Sequence, residues 1–186
     1  INQLQHQINY FAEKDGNKIA LEGDNVKINY YQLSQLVGSK DLQLSESKIG
    51  LLMENSPAWA IIDLAVFFQH KCLVPLPLFF SNSQIQHCTK DASLELIICD
   101  NEHRFENLNI SYDKKKMLKL ADRTIFFYSL VNRQVDESNN IEIVKNKSVN
   151  KIVKITYTSG TTGQAKGVML SEQSIINKLK VLVKET

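Results

Sequence analysis

Residues 48–76 read "KIGLLMENSPAWAIIDLAVFFQHKCLVPL". "KIGLLM" carries its apolar residues consecutively rather than alternately, the pattern of a strand buried on both faces. "NSPAWAIIDLAVFFQH" then changes rhythm to a helix, with Ser56 placed to accept from a free amide at the N-cap and Pro57 at the first helical position, where its missing N–H costs nothing. "KCLVPL" returns to strand. The pattern continues downstream: Ser81 or Ser83 can cap a helix reaching about Lys90, and "LELIIC" closes as another buried strand ending at Asp100. Strand, helix, strand, helix, strand is the signature of crossover units in a parallel sheet, which makes the chain an α/β protein.

On the N-terminal side, "INQLQHQINYFAEK" places Ile1, Leu4, Ile8 and Phe11 at helical spacing and predicts an amphipathic helix. Residues 18–22 and 26–29 alternate apolar and polar around Gly23-Asp24-Asn25, the pattern of a β-hairpin, and residues 31–37 begin a short helix. On the C-terminal side, residues 100–123 are polar and charged, with the lysine run 114–116 read as a solvated face. "RTIFFYSLV" is a further strand, and residues 132–150, rich in Asn, Ser, Glu and Lys, form a surface connection. A β-branched strand, "IVKIT", follows at 152–156. The final "SEQSIINKLKVLVKET" is a helix capped by Ser171, with Ile175, Leu179 and Leu182 or Val183 on one face.

Charge excludes some functions. Lys plus Arg exceed Asp plus Glu by only 22 to 20, so there is no bulk field to draw the chain to nucleic acid or an anionic membrane, and any anion site must be local. The longest mostly apolar stretch, 58–68, is interrupted by Asp63 and falls short of the roughly 20 residues that a membrane span requires. No basic segment followed by an apolar one opens the chain, so a cytoplasmic setting is expected. Cys72, Cys88 and Cys99 are an odd set in apolar surroundings, as expected of reduced thiols. His70 and His87 stand close to Cys72 and Cys88, but without CxxC or HxxxH spacing the expectation is core thiols and no metal site.

The local anion site is at residues 157–170, "YTSGTTGQAKGVML", which concentrates three of the chain's seven glycines. Gly160, Gly163 and Gly167 permit positive φ and close backbone approach to a ligand. Thr158, Ser159, Thr161 and Thr162 add hydroxyl donors, and Lys166 adds a mobile ammonium, so the loop suits the oxygen anions of a polyphosphate. An ordinary hairpin turn needs fewer such residues and no lysine. The GxxxxGK[ST] spacing does not fit, since Ala165 stands five places beyond Gly160 and Val168 five beyond Gly163, so a P-loop NTPase is disfavoured.

These residues resemble the phosphate-loop signature of the adenylate-forming, AMP-binding superfamily, YTSGTTGxPKGV, shared by acyl-CoA synthetases, peptide-synthetase adenylation domains and luciferases. Other blocks follow in family order: "INYYQL" is similar to TYxEL, "IGLLMENSPAW" to VGLLLPNSPEF, and "CLVPLPLFFSNSQIQHCTKDASLELIICD" to AVxVPLxPxxxxxEIxxxLxDxxAKxLIxD, so the likeness spans nearly the whole chain. The sequence departs from the pattern at Ala165, where proline is usual, at Glu172 and Ser174, where His and Asn are common, and at Lys71, where glycine usually stands.

The resemblance implies a layered α/β/α fold with a largely parallel sheet, as the N-terminal part of the large domain of an adenylate-forming enzyme. Its parts would be the hairpin and crossover units at 1–131, the connection at 132–150, and strand, phosphate loop and helix at 151–186. It implies an ATP-dependent acid–thiol ligase, using Mg2+, that activates a carboxylic acid as acyl-adenylate with release of pyrophosphate. The acyl group then passes to coenzyme A or to a carrier protein's phosphopantetheine; a fatty acid is the substrate expected from the acyl-CoA synthetases. Thr158, Ser159, Gly160, Thr161, Thr162, Gly163, Lys166 and Gly167 would form the cofactor-binding loop. The family's adenine, ribose and catalytic-lysine motifs lie later than these blocks, so no catalytic residue is expected in this chain and the chain alone is expected to be inactive. The alternative expectation is a non-catalytic module of the same fold that binds a phosphate ligand or a protein.

Overall fold

The computed structural model describes residues 3–131, 151–158 and 165–184. The surface connection expected at 132–150 therefore lies outside the described residues. Helix α1 (Gln3–Lys14) and the antiparallel hairpin β1 (Ile19–Glu22) and β2 (Lys27–Asn29) lead into α2 (Tyr30–Val37). Asn29 both accepts from the Gln32 amide at 2.8 Å and donates its own amide to the Gln32 side chain at 3.0 Å, closing a capping box that ends the hairpin and starts the helix.

The expected crossovers follow: β3 (Lys48–Leu52), α3 (Pro57–Phe68), β4 (Cys72–Pro75), α4 (Asn82–Asp91) and β5 (Leu96–Cys99). Ser56 caps α3 with Pro57 in its first turn, and of the two candidate serines it is Ser81 that caps α4, in a second capping box with Gln84. β3 pairs in parallel with β4 on one side and β5 on the other. Short α5 (Glu102–Glu106), the hairpin β6 (Tyr112–Leu120) and β7 (Arg123–Leu130), then β8 (Ile152–Thr158), β9 (Lys166–Ser171) and α6 (Glu172–Lys184) complete the described chain.

The seven strands β3–β9 form one sheet in the order β6-β7-β5-β3-β4-β8-β9. Its centre, β5, β3, β4 and β8, is parallel, and antiparallel strands flank it on both sides. The sheet separates two apolar clusters. Ile49, Leu51, Leu73, Leu96 and Ile98 face the layer that includes Leu33 of α2 and Ile61, Ile62 and Val66 of α3. Leu52, Val74, Ile97, Cys99 and Tyr128 face Ile85 and Cys88 of α4 and Phe105 of α5. Adjacent residues of one strand thus serve opposite layers, the period-two consequence of pleating, and the α/β/α expectation holds.

Sequence patterning marks residues 100–123 only as polar, yet they contain α5 and β6. β6 escapes the apolar pattern because it is an edge strand paired to β7 alone, and its positions from Tyr112 to Met117 are exposed. Its lysines are solvated as expected but also anchored: Lys115 pairs with Glu102, and Lys116 donates to the Asp41 carbonyl at 2.8 Å.

Candidate functional site

Because β3, β4, β5 and β8 run in parallel, their carboxyl ends share one edge of the sheet, the edge at which open α/β sheets present ligands. β8 carries the chain out at that edge and β9 returns antiparallel to it, so that Tyr157 stands opposite Gly167 and Thr158 opposite Lys166. Thr158, Lys166 and Gly167 are exposed at this open end. Lys166 makes no ion pair among the described residues. Ser159, Gly160, Thr161, Thr162 and Gly163 lie outside the described residues.

The two stems are built differently from their centre outward. Val153, Ile155 and Tyr157 are buried, whereas Ile152, Lys154 and Thr156 are half-buried; Ile155 and Tyr157 join the apolar layer of α4, and Lys154 reaches α3 on the other face. On the α3 side, Lys154 Nζ donates to Asp63 Oδ2 at 2.7 Å and lies 5.7 Å from the centre of the Trp59 ring. Trp59 and Asp63 are four residues apart on α3 and so share a face.

On the α4 side, the Tyr157 hydroxyl donates to Asp91 Oδ2 at 2.5 Å. Burial first, and then the hydrogen bond to Asp91 and its negative charge, push the Tyr157 phenol above its ordinary value, so it remains a proton donor at physiological pH. One helical turn earlier, His87 Nε2 lies 3.2 Å from the Ala165 carbonyl oxygen. A carbonyl can only accept, so this nitrogen carries the proton. Ala165 is buried although it is the first described residue of the returning stem.

Gly167 differs from the sequence expectation. It lies within β9 without a left-handed φ, and the space a Cβ would need is occupied: Ile155 Cγ2 would stand 3.0 Å away, and the Tyr157 ring carbons Cε1 and Cζ 3.2 Å away. The glycine lets a tyrosine ring lie across the neighbouring strand, rather than turning the chain.

A second polar group sits at the same edge, after β5. The Asp100 side chain, 5% exposed, accepts from Arg123 Nη1 at 2.5 Å and from the Glu54 amide at 3.3 Å, while Arg104 approaches both Asp100, at 3.9 Å, and Glu54, at 3.7 Å. Sequence patterning does not reveal this cluster, because its members are scattered over residues 54–123 and no spacing joins them. Nor does it single out Asp91, and it raises His87 only as a metal ligand. The nearest signal for Asp91 is its place as the aspartate of the LxD block.

Cys72, Cys88 and Cys99 are free thiols. Among the described residues, no group of three His, Cys, Asp or Glu side chains gathers as a metal site, and no helix is long and apolar enough to cross a membrane.

The profile of the AMP-binding enzyme family matches residues 8–186. A component of the linear gramicidin synthase of Brevibacillus parabrevis is 28% identical over 183 residues, covering 95% of this chain and 3% of that protein. Human long-chain-fatty-acid–CoA ligase 1 is 25% identical over 181 residues, covering 83% of this chain and 25% of the ligase. Among solved structures, the N-terminal subdomain of NpsA from Klebsiella oxytoca, in complex with 3-hydroxyanthranilyl-AMSN, superposes with a TM-score of 0.57 at 17% identity, covering 92% of this chain and 41% of that one. The chain thus spans a quarter or less of the length of the two sequence relatives.

Proposed function

The chain belongs to the AMP-binding enzyme family, and from that premise we propose that it supplies the triphosphate-gripping part of an ATP-dependent acid–thiol ligase. The observation that carries this reading is the pairing of Thr158 with Lys166 at the carboxyl edge of the parallel strands. That pairing sets a hydroxyl and an ammonium on opposite stems of one loop, with the hydroxyl- and glycine-rich residues 159–163 between them in sequence. Thr158, Ser159, Gly160, Thr161, Thr162, Gly163 and Lys166 hold the β- and γ-phosphates, and Gly167 shapes the stem that presents Lys166.

In the proposed reaction a carboxylate oxygen of the acid attacks the α-phosphorus, and the bond to the bridging oxygen breaks. Pyrophosphate leaves with the electron pair. A thiol then gives up its proton to solvent and attacks the acyl carbon as thiolate, the bond from that carbon to the phosphate oxygen breaks, and AMP departs with the electron pair. Little covalent work falls to the protein, so this chain's share is to align the departing phosphates and to neutralise the charge that accumulates on them. Mg2+ would reach the site on the nucleotide and share that neutralisation; the described residues offer no carboxylate cluster to hold it alone. No general acid or base for this step is assigned to the chain.

The name of the human long-chain-fatty-acid–CoA ligase supports coenzyme A as the thiol and a fatty acid as the substrate, with a carrier's phosphopantetheine the other thiol that the family resemblance implies. Free thiols at Cys72, Cys88 and Cys99 support a cytoplasmic setting. The test is ATP–pyrophosphate exchange by the complete polypeptide with a panel of acids. We expect Lys166→Ala to lower exchange about 100-fold, the usual consequence of removing one donor to a developing anion. Exchange at the wild-type rate by Lys166→Ala would remove the loop from the mechanism.

A further inference from the structure

His87 and Asp91 stand one turn apart on α4, on the layer that faces β8, and each reaches a different stem of the hairpin that flanks the nucleotide loop. Asp91 takes the Tyr157 hydroxyl, immediately before Thr158. His87 takes the carbonyl of Ala165, immediately before Lys166. The two residues that open and close the hairpin are thus tied to one rigid helix by hydrogen bonds of 2.5 and 3.2 Å. The Tyr157 ring that makes one tie also fills the space over Gly167, so it braces both strands at once.

We propose that His87 and Asp91 are positioning residues for ATP, fixing the separation and twist of the two stems and thereby placing Thr158 and Lys166 against the triphosphate. Neither side chain is asked to touch the nucleotide. This inference rests on the ligase reading above, because positioning has meaning only if the loop takes a triphosphate.

The spacing supports the assignment. Residues i and i+4 of a helix lie about 6 Å apart along the same face, comparable to the separation of paired antiparallel strands, so a single helical turn can address both stems. The rest of β8 supports it too: Lys154 is tied to α3 on the opposite face, and among the described residues the polar ties of the hairpin to α4 fall at Tyr157 and Ala165, next to the loop.

The experiment measures ATP–pyrophosphate exchange by the complete polypeptide, with the KM for ATP and the KM for the acid determined separately. Tyr157→Phe, Asp91→Ala and His87→Ala are expected to raise the KM for ATP about tenfold, with the KM for the acid unchanged. Asp91→Asn should retain most of the wild-type affinity, because its amide oxygen still accepts the phenol proton. His87→Gln should rescue His87→Ala, because its amide N–H can donate to the Ala165 carbonyl. A merely structural role would lower the amount of folded enzyme without separating the two KM values. Should Asp91→Ala not fold, Tyr157→Phe and the His87 pair decide the question. Wild-type KM for ATP in both Tyr157→Phe and His87→Ala, measured in an enzyme that exchanges normally, would overturn the inference alone. Wild-type protein that neither exchanges nor binds MgATP would overturn the ligase reading and this inference with it.

Discussion

The inner strands β3, β4 and β5 and the β8–β9 end of the sheet share the apolar core, but the β8–β9 end adds polar ties to the helices. In the centre, Leu51, Leu73, Ile97 and Ile98 are all but inaccessible and packed between helical layers, so the hydrophobic effect fixes them many times over. β9 is an edge strand with Val168 and Met169 exposed at 49% and 61%, and its hairpin is tied to the helices by separate polar contacts: Lys154 to Asp63, Tyr157 to Asp91, and His87 to Ala165. Directional contacts of this kind contribute little stability each but set geometry closely. The lesson is a division of labour, in which the centre supplies the free energy and the clasps supply the placement.

Several substitutions can break that division. Ile97→Ala, in the centre, should cost about 3 kcal/mol by cavity formation, while the folded enzyme keeps its KM for ATP. Urea denaturation read beside exchange kinetics checks both halves, and a large change in KM with little loss of stability would reverse the comparison. Asp100→Ala should cost about 2 kcal/mol, because Arg123 loses its carboxylate and Arg104 keeps only that of Glu54. The figure is below the range for fully buried pairs because both arginines remain about 30% solvated. Tyr157→Phe should cost only about 1 kcal/mol in the same urea experiment, although it alters nucleotide affinity. Met169→Lys, on the exposed edge, should stay within about 0.5 kcal/mol of the parent.

Thiol chemistry sharpens the comparison without mutation. Burial raises the Cys99 thiol to about 12, and burial together with the Asp91 charge raises Cys88 to about 11, so neither forms much thiolate at pH 8. Cys72 is half-buried and also raised by burial, with Lys48 opposing the shift. Labelling at pH 8 followed by mass spectrometry should proceed in the order Cys72, then Cys88, then Cys99. Cys88 reports the parting of α4 from β8 and Cys99 the opening of the centre; labelling of Cys99 before Cys88 would contradict the greater stability assigned to the centre.

The α/β class, the N-terminal hairpin and the crossover helices were legible in the sequence, with the cap of one fixed at Ser56 and that of the next left between Ser81 and Ser83, because each depends on neighbours a few residues away. Strand β6 was not, since an edge strand is solvated and carries no apolar period to detect. The antiparallel placement of β7 and β9 was also hidden: a strand's own residues announce burial, but not the direction of its neighbour. Gly167 shows the limit at a single residue, for its glycine character was plain while its reason, a tyrosine ring from the adjacent strand, depends on cross-strand register. Asp91 and His87 are separated from their partners by 66 and 78 residues, so only the packing of α4 on β8 could bring them to the stems. The sequence alone determined which chemistry the loop could offer, because donors and charge belong to individual residues. Tertiary structure decided what holds that chemistry in place, because a hydrogen bond between distant residues exists only once the layers have come together.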